Sequence, residues 1–145
     1  MITFERLTEA NYKAVAQLDK KCLPNEFWSE QLFFQEIYDK NKFYIVAKDV
    51  DNIIAFGGYA QILDEGNILN IAVDENYRRQ GIANKILNIL LENGFNNGIT
   101  AFTLEVRESN TVARLLYEKA GFKFVGKRKS FYNDKEDACI YWLYK

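Results

Sequence analysis

Residues 67 to 91 read NILNIAVDENYRRQGIANKILNILL, and three textures follow one another within them. Ile68 to Val73 is a short apolar run of the kind that forms a buried strand. Asp74, Glu75 and Asn76 break it into a polar turn that carries Arg78, Arg79, Gln80, Gly81, Ile82 and Ala83. Ile82, Ile86, Ile89, Leu90 and Phe95 then recur at helical spacing. Strand, glycine-bearing turn and helix start together make a cradle for an anion. The first-turn N–H groups of a helix have no partner inside it, and the helix dipole adds partial positive charge there. Gly81 lets a phosphate come close to the backbone where a Cβ would obstruct it. Many strand-to-helix turns contain one glycine and bind nothing, so the rest of the chain must decide.

Length and composition bound the answer. A chain of 145 residues, 48% hydrophobic and 15% aromatic, suits one globular domain over residues 1 to 145 with a core of its own. A net charge of −1 argues against a nucleic-acid surface, which needs a basic excess. The opening residues lack the apolar core of a signal peptide, and no apolar run approaches the ~20 residues of a membrane span. A soluble, cytoplasmic protein without membrane contact is therefore expected. Cys22 and Cys139 are the only cysteines and sit among apolar neighbours, so both read as buried thiols. The absence of histidine weakens a nucleophile or metal-ligand reading of either, and no metal is expected.

From the N-terminus, Ile2 to Leu7 alternates as a strand, and Thr8 is the expected N-cap of a helix running to about Cys22, with Pro24 closing it. A second helix opens at Ser29, its apolar side formed by Leu32, Phe33 and Ile37. Phe27 and Trp28 just before it read either as core anchors or as the wall of a groove. Phe43 to Lys48 and Ile53 to Leu63 read as strands, and Gly57 and Gly58 suggest a bulge or a close approach to the backbone. After the 67–91 stretch, Thr100 to Arg107 is a strand with Phe102, Leu104 and Val106 on one face and Thr103, Glu105 and Arg107 on the other. Ser109 or Asn110 caps a helix with Val112, Ala113, Leu115, Leu116 and Ala120 as its interior, and Gly121 ends it. Phe122 to Phe131 and Ala138 to Tyr144 form a final hairpin. The expected fold is one α/β (α+β) domain, a mixed central sheet of six to seven strands flanked by about four helices.

Three motifs in this order, Arg78-x-x-Gly81-x-Ala83, Leu104-Glu105-Val106-Arg107-x-Ser109-Asn110 and Leu116-Tyr117-Glu118-Lys119-x-Gly121-Phe122, resemble the Gcn5-related N-acetyltransferase (GNAT) superfamily. The resemblance extends over nearly the whole chain. Phe27-Trp28-Ser29-Glu30, Asn70-Ile71-Ala72-Val73 and Phe131-Tyr132 followed by Glu136-Asp137-Ala138 make it most similar to the bacterial ribosomal-protein alanine N-acetyltransferases. Ala83 stands where a second glycine is often found and Asn84 where a basic residue is common. The resemblance implies acetyl-CoA as co-substrate. Ile71, Ala72 and Val73 would pair their backbone with its pantetheine arm. Arg78 would join the phosphate loop, in which Arg79, Gln80, Gly81, Ile82, Ala83 and Asn84 hold the pyrophosphate. Asn110 would touch the cofactor, although capping its helix explains it equally well.

The chemistry follows from the residue types. An α-amino group titrates near pH 7.7 to 8 and must lose a proton before it attacks. A carboxylate with a raised pKa close to it can take that proton. Glu105, in the middle of an apolar strand, is the candidate; the alternative is a glutamate on a solvated face, salt-bridged to a neighbour. The resemblance implies that Glu105 is the general base. The backbone N–H of Val73, if unpaired where its strand splays, would stabilise the developing oxyanion. Tyr117 is the candidate acid for the departing thiolate and a cofactor contact; the alternative is one more core tyrosine among nine. Direct transfer in a ternary complex is expected. The acceptor implied is the peptide N-terminus of a ribosomal protein, with Phe27, Trp28, Phe131 and Tyr132 lining its groove. Asp64, Glu65, Glu136 and Asp137 either attract a basic peptide or are simply solvated. Two other readings share these residues: acetylation of a small amine such as a polyamine or aminoglycoside, and a non-catalytic acyl-CoA-binding module.

Overall fold

The computed structural model describes residues 1–24 and 26–145. The chain runs through β1 (Ile2–Arg6), α1 (Tyr12–Cys22), α2 (Glu30–Ile37), β2 (Lys42–Asp49), β3 (Asn52–Ile62), β4 (Glu65–Val73), a 3-10 turn (Glu75–Tyr77), α3 (Ile82–Asn96), β5 (Ala101–Arg107), α4 (Thr111–Lys119), β6 (Lys123–Arg128) and β7 (Ala138–Tyr144). The strands form one seven-stranded sheet in the order β1-β2-β3-β4-β5-β7-β6. Every neighbouring pair is antiparallel except β4 and β5, which α3 connects as a parallel crossover. No described helix is long and apolar enough to cross a membrane.

Helices cover both faces of the sheet. On one, Ile82, Ile86, Leu87 and Leu90 of α3 pack with Ile45, Phe102, Leu104 and Tyr141. On the other, Val15, Ala16 and Leu18 of α1 and Phe33 of α2 pack with Tyr44, Val46 and Phe56. Neighbours such as Ile45 and Val46 fall into different cores because successive strand residues point to opposite faces.

Several sequence expectations need correction. Thr8 does not cap α1. Asn11 stands at the N-cap position, and its Oδ1 instead accepts the Thr8 N–H at 2.8 Å, folding residues 8–11 into a turn before the helix. Ser29 does cap α2, accepting from the Leu32 N–H at 3.2 Å, but Leu32 itself is exposed while Phe33 and Glu36 are buried. The Glu36 carboxylate survives burial because Tyr44 Oη and Lys42 Nζ both donate to it at 2.7 Å. Val112 and Leu115 also turn to solvent. The stripe of α4 that meets the core is Ala113, Leu116, Tyr117 and Ala120, and positions one residue off it lie about 100° around the helix. β6 ends at Arg128, short of the Phe131 expected from sequence.

What positions the site is a bulge. Gly58 pairs with Asn70 but Tyr59 pairs with Ile68, so Leu69 is an extra residue on β4. The twin glycines do mark an irregularity, yet the added residue belongs to the strand opposite them. A bulge bends its strand and sharpens the local twist. β4 and β5 are paired only from Glu65, Gly66 and Asn67 to Ala101, Phe102 and Thr103, and past that point they part. Gly58 is required for a second reason: a Cβ there would lie 2.4 Å from the Tyr44 ring. Gly58→Ala is expected to cost about 1–3 kcal/mol through overpacking. Urea denaturation should show a lower midpoint at unchanged slope.

Candidate active site

The parity of the β3–β4 ladder decides which amides face the gap. The Asp74 N–H donates to the Ile54 carbonyl at 2.8 Å, which makes 54 and 74, and by alternation 56 and 72, hydrogen-bonded pairs. Ile71 and Val73 are the intervening positions, so their N–H and C=O groups point away from β3 into the space β5 has vacated. Ala72 does not share that orientation. Its backbone is turned to Phe56 and its methyl is buried in the core beneath α1.

Beyond the end of β4 the chain enters α3 through a loop with two left-handed residues, Arg79 at φ 64° and Gly81 at φ 77°. Gly81 is the N-cap, and no side chain caps the helix. No acidic residue occupies the first turn. The first-turn amides of Ile82, Ala83 and Asn84 are thus left for an outside acceptor. A Cβ on Gly81 would meet no protein atom within 4 Å, so the glycine answers to its left-handed φ and to open space above it. Ile82 anchors the loop in the core. Arg78 stays exposed, its Nε donating to the Val73 carbonyl at 3.1 Å.

Where β4 and β5 separate there is a cleft of about 250 Å³. It is lined by Ala113 and Tyr117 from the α4 side and by Phe33, Tyr44 and Phe56 from the other side, so it passes between the strands from one face of the sheet to the other. Ile71, Glu105, Asn110, Tyr117, Trp28 and Tyr132 all reach it. Residues 78–84 lie outside it, as do Phe27 and Phe131. Those two rings are each about two-fifths exposed, Phe27 beneath Lys20 Nζ and Phe131 beneath Arg128.

Glu105 sits mid-strand on β5, opposite Ile140 of β7, half-buried and facing the cleft. Its carboxylate makes no hydrogen bond or ion pair with any other described residue, so the salt-bridged alternative does not hold. Tyr117 is the buried residue of α4, its ring set edge-on to Phe122 at 5.7 Å, and its hydroxyl has no described partner either. Burial, with the nearby Tyr132 adding to it, pushes its pKa well above the usual phenol value and keeps it protonated. Asn110 caps α4, its Oδ1 accepting the Ala113 N–H at 3.1 Å. Capping consumes one lone pair and leaves the Nδ2 donors unused among the described residues, so the two roles weighed for Asn110 are compatible.

Two other cleft residues were given no role by the sequence reading. Asp19 is 2% exposed, its oxygens accepting the Trp28 N–H at 2.7 Å and Asn70 Nδ2 at 3.3 Å. Burial raises its pKa, against the lowering effect of those two bonds. The available signal was its place in the stripe Tyr12, Val15, Ala16, Asp19, a carboxylate where an apolar residue is expected. Arg107 is the second: it pairs with Glu26, Asp134 and Glu136 and lies 4.1 Å over the Tyr132 ring. The acidic turns do not act as one field. Asp64 and Glu65 stand at the paired end of β4, away from the gap, and Glu136 is consumed by Arg107 and the Ser109 N–H.

The profile of the acetyltransferase (GNAT) family matches residues 12–122. The chain belongs to that family. A [ribosomal protein bS18]-alanine N-acetyltransferase of Salmonella typhimurium is 32% identical over 144 residues, 97% of this chain and 95% of the relative. One from Haemophilus ducreyi is 42% identical over 98 residues, 65% of this chain and 68% of the relative. The crystal structure of the ribosomal-protein-S18-alanine N-acetyltransferase from Escherichia coli superposes with a TM-score of 0.89 at 31% identity, covering 99% of this chain and 94% of that one. Acetyl-CoA is the co-substrate of the GNAT family, and the uncapped α3 N-terminus and the gap-facing amides of β4 suit its diphosphate and its amide-bearing arm.

Hydrogen bonds from Ser109, then the Arg107 guanidinium, lower the Glu136 pKa to about 2. A carboxylate depressed in the folded state stabilises it fully above the unfolded value of about 4.3, and that contribution disappears as pH falls toward the folded value. A carboxyl-carbon NMR titration of Glu136 should show a midpoint near 2, with Arg107→Met moving it back toward about 4.3.

Proposed function

We propose that this protein is an acetyl-CoA-dependent N-terminal acetyltransferase that modifies the alanine α-amino group of a ribosomal protein, as the names of its relatives describe them. The observation that carries the reading is the pair Glu105 and Tyr117. A carboxylate and a phenol, neither with a partner among the described residues and contributed from opposite faces of the sheet, line one cleft that runs between them.

The diphosphate of acetyl-CoA lies against the first-turn amides of α3 and the Arg79–Gly81 turn, and its pantetheine arm pairs with Ile71 and Val73 as an added strand. Asn110 Nδ2 donates to the arm from the start of α4. The acceptor enters from the opposite face, past Trp28 and Tyr132, with Phe27 and Phe131 at the rim. An α-ammonium with a pKa near 8 is mostly protonated at neutral pH, and Glu105, free of competing partners, takes its proton. The Ile71 N–H, which borders the cleft with Glu105 and Tyr117 where Val73, the donor expected from sequence, does not, faces the oxygen of the thioester carbonyl as that oxygen gains negative charge, a donor in place before the reaction starts. Tyr117, held protonated by burial, donates to the departing thiolate. Transfer is direct: burial raises the Cys22 thiol pKa and Cys139 is enclosed in the core, so neither is an activated nucleophile.

Turnover of acetyl-CoA on an alanine-initiated ribosomal-protein peptide, compared with spermidine, tests the acceptor. The peptide should be acetylated at its α-amine, as read by mass spectrometry, and preference for spermidine would replace this reading with the small-amine one. Glu105→Gln should lower kcat by about 10² to 10⁴-fold at neutral pH. That deficit should shrink as pH rises past about 8, where solvent removes the amine proton instead. Gly81→Ala forces a side chain into the left-handed region at about 1–2 kcal/mol and places a methyl where the diphosphate rests. Calorimetry should show CoA affinity reduced about tenfold or more, with the protein still folded.

A further inference from the structure

Two irregular segments border the acceptor side of the cleft. One lies between α1 and α2 and carries Glu26, Phe27 and Trp28; the other lies between β6 and β7 and carries Phe131 and Tyr132. Each has bonds of its own. Trp28 is tied to Asp19, and the second loop is closed by Tyr132 N–H to the Glu136 carbonyl at 3.2 Å and Lys135 N–H to the Tyr132 carbonyl at 2.9 Å. Among the described residues no hydrogen bond or ion pair runs directly from one loop to the other. What joins them is one side chain, Arg107 at the end of β5.

Arg107 reaches both loops at once. Its Nη2 pairs with Glu26. Its Nη1 donates to Asp134 Oδ2 at 2.9 Å and to Glu136 Oε1 at 2.8 Å, and the guanidinium plane covers Tyr132. Through Glu136, whose other oxygen accepts the Ser109 N–H at 2.9 Å, the connection extends to the turn that leads into α4. A planar fork can satisfy carboxylates on two sides while stacking on an aromatic face; an ammonium cannot. Arg107 is also two residues from Glu105 on the same face of β5, roughly 7 Å along the strand. The clasp therefore stands next to the candidate base, and by occupying Arg107 with three other carboxylates it leaves Glu105 unpaired.

We propose that Arg107 is a positioning residue for the acceptor, clasping the two loops so that Trp28 and Tyr132 face each other across the cleft beside Glu105. The proposal rests on the acetyltransferase reading and adds to it a residue that acts through the two loops it holds rather than on the reacting atoms. Holding both walls in place before binding removes an ordering cost that the acceptor would otherwise meet. Acetyl-CoA binds on the other face, and the Glu136–Ser109 bond that leads toward Asn110 is made without Arg107.

The test is steady-state kinetics with separate KM values for acceptor and donor, using the acceptor the wild-type protein turns over, together with calorimetry for CoA. Arg107→Met should raise the acceptor KM about tenfold or more, lower kcat by less, and leave CoA affinity unchanged. Arg107→Lys should recover only part of the loss, because it keeps the charge and loses the fork. Glu26→Gln, which opens one arm and leaves the Asp134 and Glu136 pairs in place, should raise the acceptor KM by a smaller factor, and adding it to Arg107→Met should have no further effect. An unshifted acceptor KM in the Met and Gln variants, or a loss falling equally on CoA affinity and kcat, overturns the proposal while wild-type turnover still supports the enzyme reading. If Arg107→Met does not fold, an unshifted acceptor KM in Glu26→Gln is sufficient to overturn it. If the wild-type protein turns over no acceptor at all, the acetyltransferase reading fails and the proposal falls with it.

Discussion

β4 and β5 begin as paired parallel strands and cannot remain so. The extra residue at Leu69 turns β4 away three pairs into the ladder, and the backbone groups of Ile71 and Val73 lose the partner that a continuous sheet would have supplied. Unpaired N–H and C=O groups in a sheet interior are costly unless water or a ligand satisfies them. At the margin of a protein such an edge invites aggregation. Here it lies inside one domain, walled by α3 and α4, and the chain of amides in a pantetheine arm is a chemical match for it. The bulge itself depends on close packing, since Tyr44 presses on Gly58 where a side chain would hold the ring off.

The same separation divides the chemistry between two faces. Alternation along β5 buries Phe102, Leu104 and Val106 under the helices of one side and turns Glu105 and Arg107 to the other. Tyr117 comes from the first side, on the narrow stripe of α4 that touches the core. A sheet without a gap would keep carboxylate and phenol apart. With the gap they border one space, lined from both faces of the sheet. Burial acts differently on the two groups: it holds the phenol protonated, while Glu105 keeps enough exposure to meet an incoming amine.

Charge pairing then decides which carboxylate remains available. Five acidic side chains, Asp19, Glu26, Glu105, Asp134 and Glu136, lie in or around the cleft. Asp19 is occupied by Trp28 and Asn70, and the other three partnered ones converge on Arg107. Among the described residues Glu105 is the one of the five without a partner, so its freedom is a product of the network around it as much as of its own position.

Much of this was legible in the residues. The helical spacing from Ile82 onward, the alternation of β5, the helix start at Ser29, a cap at Ser109 or Asn110 and the glycine of the turn before α3 are local patterns, set by interactions between residues a few positions apart, and all appear in the fold, with Asn110 as the cap. Motif order over Asn67 to Phe122 was enough to indicate the family. What needed the tertiary structure was every feature that joins distant segments: the bulge on β4 opposite Gly58, the parity that turns Ile71 and Val73 but not Ala72 to the gap, Asp19 beneath Trp28, and Arg107 between two loops. Strand register and ion pairing depend on which residues meet across the sheet, a relation that spacing along the chain does not encode. The chain's own order therefore determined the elements and the motifs they carry, and only their packing decided which amides, and which one cleft carboxylate among the described residues, were left free.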